Sequence, residues 1–274
     1  MKFIDSFIFY NELDLLKYRL SILNEYVDYF ILVESTHTFS GHTKQLFYND
    51  NKYMFSQFND KIIHIIVEDF PYKIPNINYA VNQQWDNEYY QRNCIKRGLD
   101  RFDIQDKDII LTSDIDEIPD PTIFNKIKNN ELIFNKDTLN RLALDMYYYN
   151  LNLRVGDGQN WHGIKLMTFK TYKSQGLTFQ QMRCWEHTHP VPLIPYGGWH
   201  LSYFGDINFI ITKIQSFSHQ EYNNDKYINK SELENKITKG INFIGGLNLQ
   251  YIKIEDNKNL PFKYDEYLQN YYIK

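Results

Sequence analysis

The chain of 274 residues is short of cysteine, of long apolar runs and of blocks of like charge, and each shortage removes a class of protein. Cys94 and Cys184 stand far apart and neither belongs to a Cys-x-x-Cys pair. A zinc site or a disulfide framework is therefore not expected, and a reducing compartment is the simpler setting. Nowhere do roughly 18 apolar residues follow one another, so no membrane-spanning helix is expected. The opening Met1-Lys-Phe-Ile-Asp-Ser-Phe reaches an acid at position 5 and has no apolar stretch of the kind a secretory leader carries. The expectation is a cytoplasmic protein. With 30 basic and 34 acidic residues the formal charge is -4, which argues against nucleic acid as a partner. No Gly-x-x-x-x-Gly-Lys loop, internal repeat or clear linker occurs, and the chain reads as one domain over 1–274, with 1–120 and 121–274 as its two halves.

What the chain has in quantity is aromatic surface. Hydrophobic residues make up 43% and aromatics 17%, enough for a sizeable core rather than a disordered chain. The excess of Tyr offers flat apolar faces with a polar tip, suited to stacking on sugars or bases, although a biased genome would enrich the same residue.

The organising stretch is Asp108-Ile-Ile-Leu-Thr-Ser-Asp-Ile-Asp-Glu-Ile-Pro119. Ile109, Ile110 and Leu111 form a short apolar run, as in a strand buried on both faces, and Pro119 with Pro121 closes it. Asp114, Asp116 and Glu117 then stand at the strand's C-terminal end, the edge where open α/β sheets bind ligands. If the backbone stays extended, Asp114 and Asp116 point to one side and can share a hard divalent ion. A solvated acidic turn is the plain alternative.

Before this stretch, strands and helices alternate. Phe3–Tyr10 reads as a strand, and Leu13, Leu16, Leu20 and Leu23 recur at helical spacing. Val27–Val33 is a second buried strand, ended by a hydroxyl-rich loop, and Ile62–Val67 a third. This order predicts a mostly parallel central sheet flanked by helices. Residues 82–102 read as one long basic amphipathic helix. After Pro121 the pattern predicts a helix over 122–128, a strand within 138–149, short strand signals over 165–172 and a loop at Glu186-His-Thr-His-Pro190. Gly197-Gly-Trp-His200 leads into a strand, Asp206 caps a helix over 207–217, and a Tyr- and Asn-rich tail beyond Glu255 wraps the surface.

Four of these stretches together resemble glycosyltransferase family 17: Phe7-Ile-Phe-Tyr-Asn-Glu-Leu-Asp-Leu-Leu with Arg19-Leu20, Val33-Glu-Ser-Thr-His-Thr-Phe-Ser-Gly41, Ser113-Asp-Ile-Asp-Glu-Ile-Pro119 and Gly197-Gly-Trp-His200. Each block alone is modest, but in this order over residues 7–200 they are specific. The resemblance implies a GT-A-type nucleotide-sugar fold, a UDP-sugar donor such as UDP-N-acetylglucosamine, Mn²⁺ or Mg²⁺, and inversion at the anomeric carbon. A glycan or glycoconjugate acceptor is implied without its identity.

The chemistry assigns roles to candidate residues. Asp116 is the first metal ligand expected, with Asp114 reaching either the metal or the ribose, and the resemblance makes His200 the third ligand. Glu34, at the end of the second strand, is placed to accept hydrogen bonds from ribose or uracil, and Arg92 to meet the pyrophosphate. Glu34 can equally cap its own loop, and Arg92 can be a solvated cation. Inversion needs a base for the acceptor hydroxyl, for which Glu186 and Asp145 have suitable chain positions, with Glu117 and Asp157 as reserves. His187 and His189 are read as loop residues. A carbohydrate-binding protein without catalysis and a metal-dependent phosphotransferase or nuclease are the competing classes.

Overall fold

The computed structural model describes residues 1–156 and 160–273. Strand β1, Phe3–Phe9, is buried at all seven positions and lies at the centre of the sheet. Helix α1, Leu13–Leu23, buries Leu16, Leu20 and Leu23 completely, each worth about 1.5–3 kcal/mol as buried apolar area. Arg19 shares that buried face, and its guanidinium pairs with the buried Asp5 of β1 at 2.6 Å. Strand β2, Tyr29–Ser35, runs parallel to β1, and the single turn α2, Phe47–Asp50, follows it. Strand β3, Ile62–Val67, pairs in parallel outside β2.

The expected long helix is two helices. Helix α3, Gln83–Asn93, ends at Cys94, and the short α4, Ile95–Leu99, continues beyond it. Arg92 lies on the buried side rather than among solvated cations. Strand β4, Ile109–Asp114, then pairs in parallel with β1, with Ile8 opposite Asp114. Residues 115 and 116 form a turn, and Glu117–Pro119 is a strand of its own, β5. Helix α5, Thr122–Lys128, follows as the pattern predicts.

Beyond β4 the sheet changes character. Strands β6, Asn140–Tyr148, β7, Leu153–Val155, and β8, Lys165–Thr168, join it through antiparallel pairs, giving the order β7-β6-β8-β4-β1-β2-β3. Parallel order is therefore confined to β3-β2-β1-β4 and to one further pair. Helices α6, Phe169–Gln175, and α7, Phe179–Cys184, lead to β9, Leu193–Ser202, which is parallel to β6 and antiparallel to β5. Helix α8, Ile207–Ser216, begins where the Asp206 carboxylate accepts the Phe209 N–H at 2.8 Å. Strand β10, Leu249–Tyr251, closes the edge on β7. The mixed α/β sheet thus carries strands from both halves of the chain.

The tail seals the far side of α1. Trp199 donates its indole N–H to the Asn259 carbonyl at 2.9 Å, Tyr18 its hydroxyl to the Phe262 carbonyl at 2.8 Å, and Leu268 is fully buried.

Candidate functional site

A cavity of about 570 Å³ opens at the C-terminal edge of the parallel strands. Its floor is the turn between β4 and β5, which Arg19 holds from beneath. The Arg19 guanidinium donates to the carbonyls of Asp114 at 2.9 Å and Glu117 at 2.8 Å and to Ser113 Oγ at 2.7 Å. A buried arginine tied to β1 therefore fixes the shape of the acidic turn. Glycine completes the approach on the other side. A Cβ on Gly198, whose φ is +140°, would lie 2.1 Å from the Ile118 carbonyl oxygen, so only glycine lets β9 close on β5 and set His200 opposite Glu117.

Asp114, Asp116 and Glu117 all line the cavity, Asp114 and Glu117 sharing Arg183 and Asp116 pairing with Lys213. Asp114 is spanned by two arginines, Arg92 Nη1 on Oδ1 at 2.6 Å and Arg183 Nη2 on Oδ2 at 3.0 Å. Burial works to raise its pKa, but Arg92 and Arg183 outweigh it and hold the carboxyl below its usual range. Glu117 is buried and grips Arg183 through both oxygens at 2.6 Å, while also accepting from the Trp161 indole and from the Asp114 N–H. Asp116 Oδ2 meets Lys213 Nζ at 2.8 Å, and its Oδ1 faces His200 Nε2 across 3.7 Å. Here too burial raises the carboxyl, and Lys213 and His200 overcome it to give a strong net lowering. Lys213 also lies 3.4 Å from Glu12 Oε1, and those two acids overcome the burial that would otherwise lower its pKa.

These distances bear on the expected metal ligands. Asp116 Oδ1 and His200 Nε2 are too far apart for a hydrogen bond and near enough to share one ion. Asp114 is arranged otherwise, both oxygens being taken by guanidinium groups. Among the described residues no group of three or more His, Cys, Asp or Glu side chains is arranged to hold a metal. Asp116 and His200 thus suit one ion, with other positions left to water and ligand, while Asp114 stands engaged by Arg92 and Arg183.

Glu34, Arg92, Asp145 and Glu186 do not line the cavity. Glu34 is fully buried and accepts the N–H groups of Tyr48 at 2.9 Å and Asn49 at 3.2 Å, with His64 Nε2 at 3.1 Å. It closes the start of α2, as its loop-capping alternative requires. Arg92 spends its fork on Asp114, Glu88 and Gln180, so it positions the acidic turn instead of standing open to a phosphate. Asp145 lies on β6 beside Arg154 of β7, with Nε at 3.1 Å, and Glu186 pairs with the buried Lys165 at 2.8 Å. Neither lines the cavity. Each serves as counter-charge to a cation of the antiparallel strands. His187 does line the cavity, His189 stacks on Trp185 at 3.8 Å, and Asp157 lies outside the described residues.

Several cavity residues had no motif to announce them. Lys44 lies 5.3 Å from the Tyr10 ring, and burial brings its pKa down to about 8. Arg183, Trp161, Trp85 and His219 complete the wall. Lys213 carried a signal, since it stands three residues after Ile210 and beside Ile214, the two buried positions of α8. A cation on an apolar stripe asks for a buried partner.

A mixed α/β sheet with a cavity at the C-terminal edge of its parallel strands defines the class of fold, and sequence comparison defines the family. The family described as Glycosyltransferase family 17 matches residues 1–258, and the chain belongs to it. It is a glycosyltransferase. No curated protein matches the chain. Among solved structures it is similar to the inositol-1-phosphate CTP transferase from T. maritima, at 13% identity over 78% of this chain and 96% of that one, with a TM-score of 0.40. It is also similar to the Francisella tularensis 2-C-methyl-D-erythritol 4-phosphate cytidylyltransferase, at 10% identity, 79% and 100% coverage and a TM-score of 0.40. Mouse xyloside xylosyltransferase 1 aligns at 10% identity over 93% of this chain and 98% of that one, with a TM-score of 0.30. Among the described residues no helix is long and apolar enough to cross a membrane.

Proposed function

We propose that this chain transfers a sugar, N-acetylglucosamine, from a UDP donor to a hydroxyl of a glycan or glycoconjugate. The observation that carries the reading is the convergence of Asp116, His200, Lys213 and Arg183 on one cavity at the parallel sheet edge. A nucleoside diphosphate brings negative charge that a divalent ion on Asp116 and His200, with Lys213 beside it, would neutralise, and the leaving group gains more as its bond to the sugar breaks. The choice of UDP and of N-acetylglucosamine follows the family resemblance of the four sequence blocks.

In this reading Asp116 and His200 would hold Mn²⁺ or Mg²⁺, an ion that favours oxygen ligands such as those of water and a diphosphate. When bound it supplies charge neutralisation at the leaving phosphate. Lys213 must then share Asp116 with the ion. Arg183, already locked by Glu117 and Asp114, keeps the turn rigid while ligand enters, and Lys44 adds a second cation near Tyr10.

A thermal-shift series with UDP and UDP-sugars tests this, with and without Mn²⁺ and after EDTA. Ligand at a hundredfold over its Kd adds about 2.7 kcal/mol to folded-state stability, so the expected result is a clear rise in Tm with UDP and Mn²⁺ together. Equal stabilisation after EDTA removes the metal from the reading. No stabilisation by any UDP compound removes the donor.

A further inference from the structure

Transfer to a hydroxyl needs a group that accepts its proton, and every carboxylate on the cavity wall is already committed to a cation. Glu12 and Asp116 share Lys213, Glu88 holds Arg92 at 2.8 Å, Asp114 is spanned by Arg92 and Arg183, and Glu117 holds Arg183. A carboxylate held between guanidinium groups is a poor proton acceptor, because those charges favour its ionised form. Imidazole is the other candidate chemistry.

His219 lines the cavity and has the arrangement a base requires. Its Nδ1 lies 2.6 Å from Glu221 Oε1, so the Nδ1–H donates to the carboxylate and the lone pair is left on Nε2. The ring is seated edge-on to Trp85, with centroids 4.6 Å apart and planes at 84°, and packs against Tyr222 at 5.6 Å. Its neighbour Ser218 donates to Glu88 Oε2 at 2.6 Å, and Glu88 leads through Arg92 to Asp114. The backbone that carries the imidazole is thereby tied to the acidic turn through the side chains of Ser218, Glu88, Arg92 and Asp114. His187 lines the same wall without an orienting carboxylate among the described residues.

We propose that His219, oriented by Glu221, is the base of the transfer, an inference that rests on the glycosyltransferase reading above. The acceptor hydroxyl gives its proton to Nε2 while its oxygen bonds to the anomeric carbon. The bond from that carbon to the diphosphate breaks, and its electron pair leaves with UDP. The imidazolium so formed is balanced by Glu221 and returns its proton to solvent.

The experiment measures UDP release from UDP-N-acetylglucosamine, with water as acceptor where no sugar acceptor is supplied, together with UDP binding by calorimetry. His219→Ala is expected to bind UDP within about threefold of the wild type and to lose turnover by a factor on the order of 10²–10⁴. Added imidazole should restore part of that loss in His219→Ala and none in the wild type, a rescue that a merely structural residue does not give. Glu221→Gln should lose turnover by a smaller factor. Wild-type turnover with His219→Ala unchanged overturns the assignment, as does a loss in His219→Ala that imidazole leaves untouched while UDP binding is normal. A wild type that neither binds UDP nor releases it from the donor overturns the donor reading itself, and the two failures are thus distinct. His219→Gln serves as the second variant if the alanine form is unstable.

Discussion

The two sides of β4 differ in how they use charge. On the parallel side, the buried polar groups are structural. Asp5 pairs with Arg19, and Glu34 closes α2 with two backbone N–H groups and His64. On the antiparallel side, several polar side chains reach into the cavity. Arg183 from α7, His200 from β9 and Lys213 from α8 all converge on the acidic turn that β4 delivers. The parallel half builds and braces the edge, and the later half brings the chemistry to it. A carboxylate at a strand's C-terminal end is therefore insufficient evidence for ligand contact in this fold, since Glu34 and Asp114 share that position and only Asp114 lines the cavity.

The sharpest way to break this contrast is at Asp116. Asp116→Asn and His200→Ala should each lower turnover by a factor on the order of 10²–10³, the scale of losing one preorganised electrostatic group. Asp116→Asn also leaves Lys213 with only Glu12 as its acid, so some stability should go with it. Adding Lys213→Met should recover that stability without recovering turnover. If the double variant regained activity, Asp116 would be a counter-ion and no more. Circular dichroism, Tm and UDP release on the three forms decide it.

Glu34 supplies the opposite case, with a smaller effect. Glu34→Ala removes the acceptor for two backbone N–H groups and for His64 in a fully buried position, which should cost about 2–3 kcal/mol of stability. UDP affinity measured well below the lowered Tm should stay unchanged. A selective loss of UDP affinity with normal stability would return Glu34 to the donor site and dissolve the contrast between the two halves.

The parallel half was legible because its signals are local. Apolar runs gave β1 to β4 and leucine spacing gave α1, while in the later half Asp206 announced α8 by the same kind of local signal, its capping chemistry. The acidic turn stood out for the same reason, being a buried strand followed by acids and a proline. What the sequence hid was partnership across distance. Asp145 and Glu186 look like free carboxylates until the fold sets Arg154 and Lys165 beside them, and Arg92 looks solvated until α3 turns it onto Asp114. The antiparallel strands β6 to β8 carry no alternating pattern that separates them from parallel ones, because both of their faces are largely buried. The His219 and Glu221 pair was open to reading as an imidazole two residues before an acid, but nothing local marks such a pair as part of a cavity wall.

The smallest expected effect concerns Lys44, a cavity lysine that the parallel half contributes. Burial lowers its pKa to about 8 from the ordinary lysine range, so between roughly pH 8 and the model-peptide value near 10.4 the folded protein holds fewer protons than the unfolded chain. Through that window the fold itself should gain slightly from Lys44 as pH rises, because a buried charge is lost. Anion binding should move the other way. Below about pH 8 the ammonium is present to meet a diphosphate, and as pH rises through that value the attraction fades. UDP affinity should therefore fall about three- to tenfold between pH 7 and 9, as expected for one partly buried charge pair. Lys44→Arg keeps its charge over the whole interval and should flatten the profile, while Lys44→Met should be weak and flat throughout. Calorimetric titration of the three forms at fixed ionic strength separates these outcomes. An unchanged slope in Lys44→Arg would assign the pH dependence to another group on the cavity wall, with His37 of the parallel half and the histidines of the later half the next to replace.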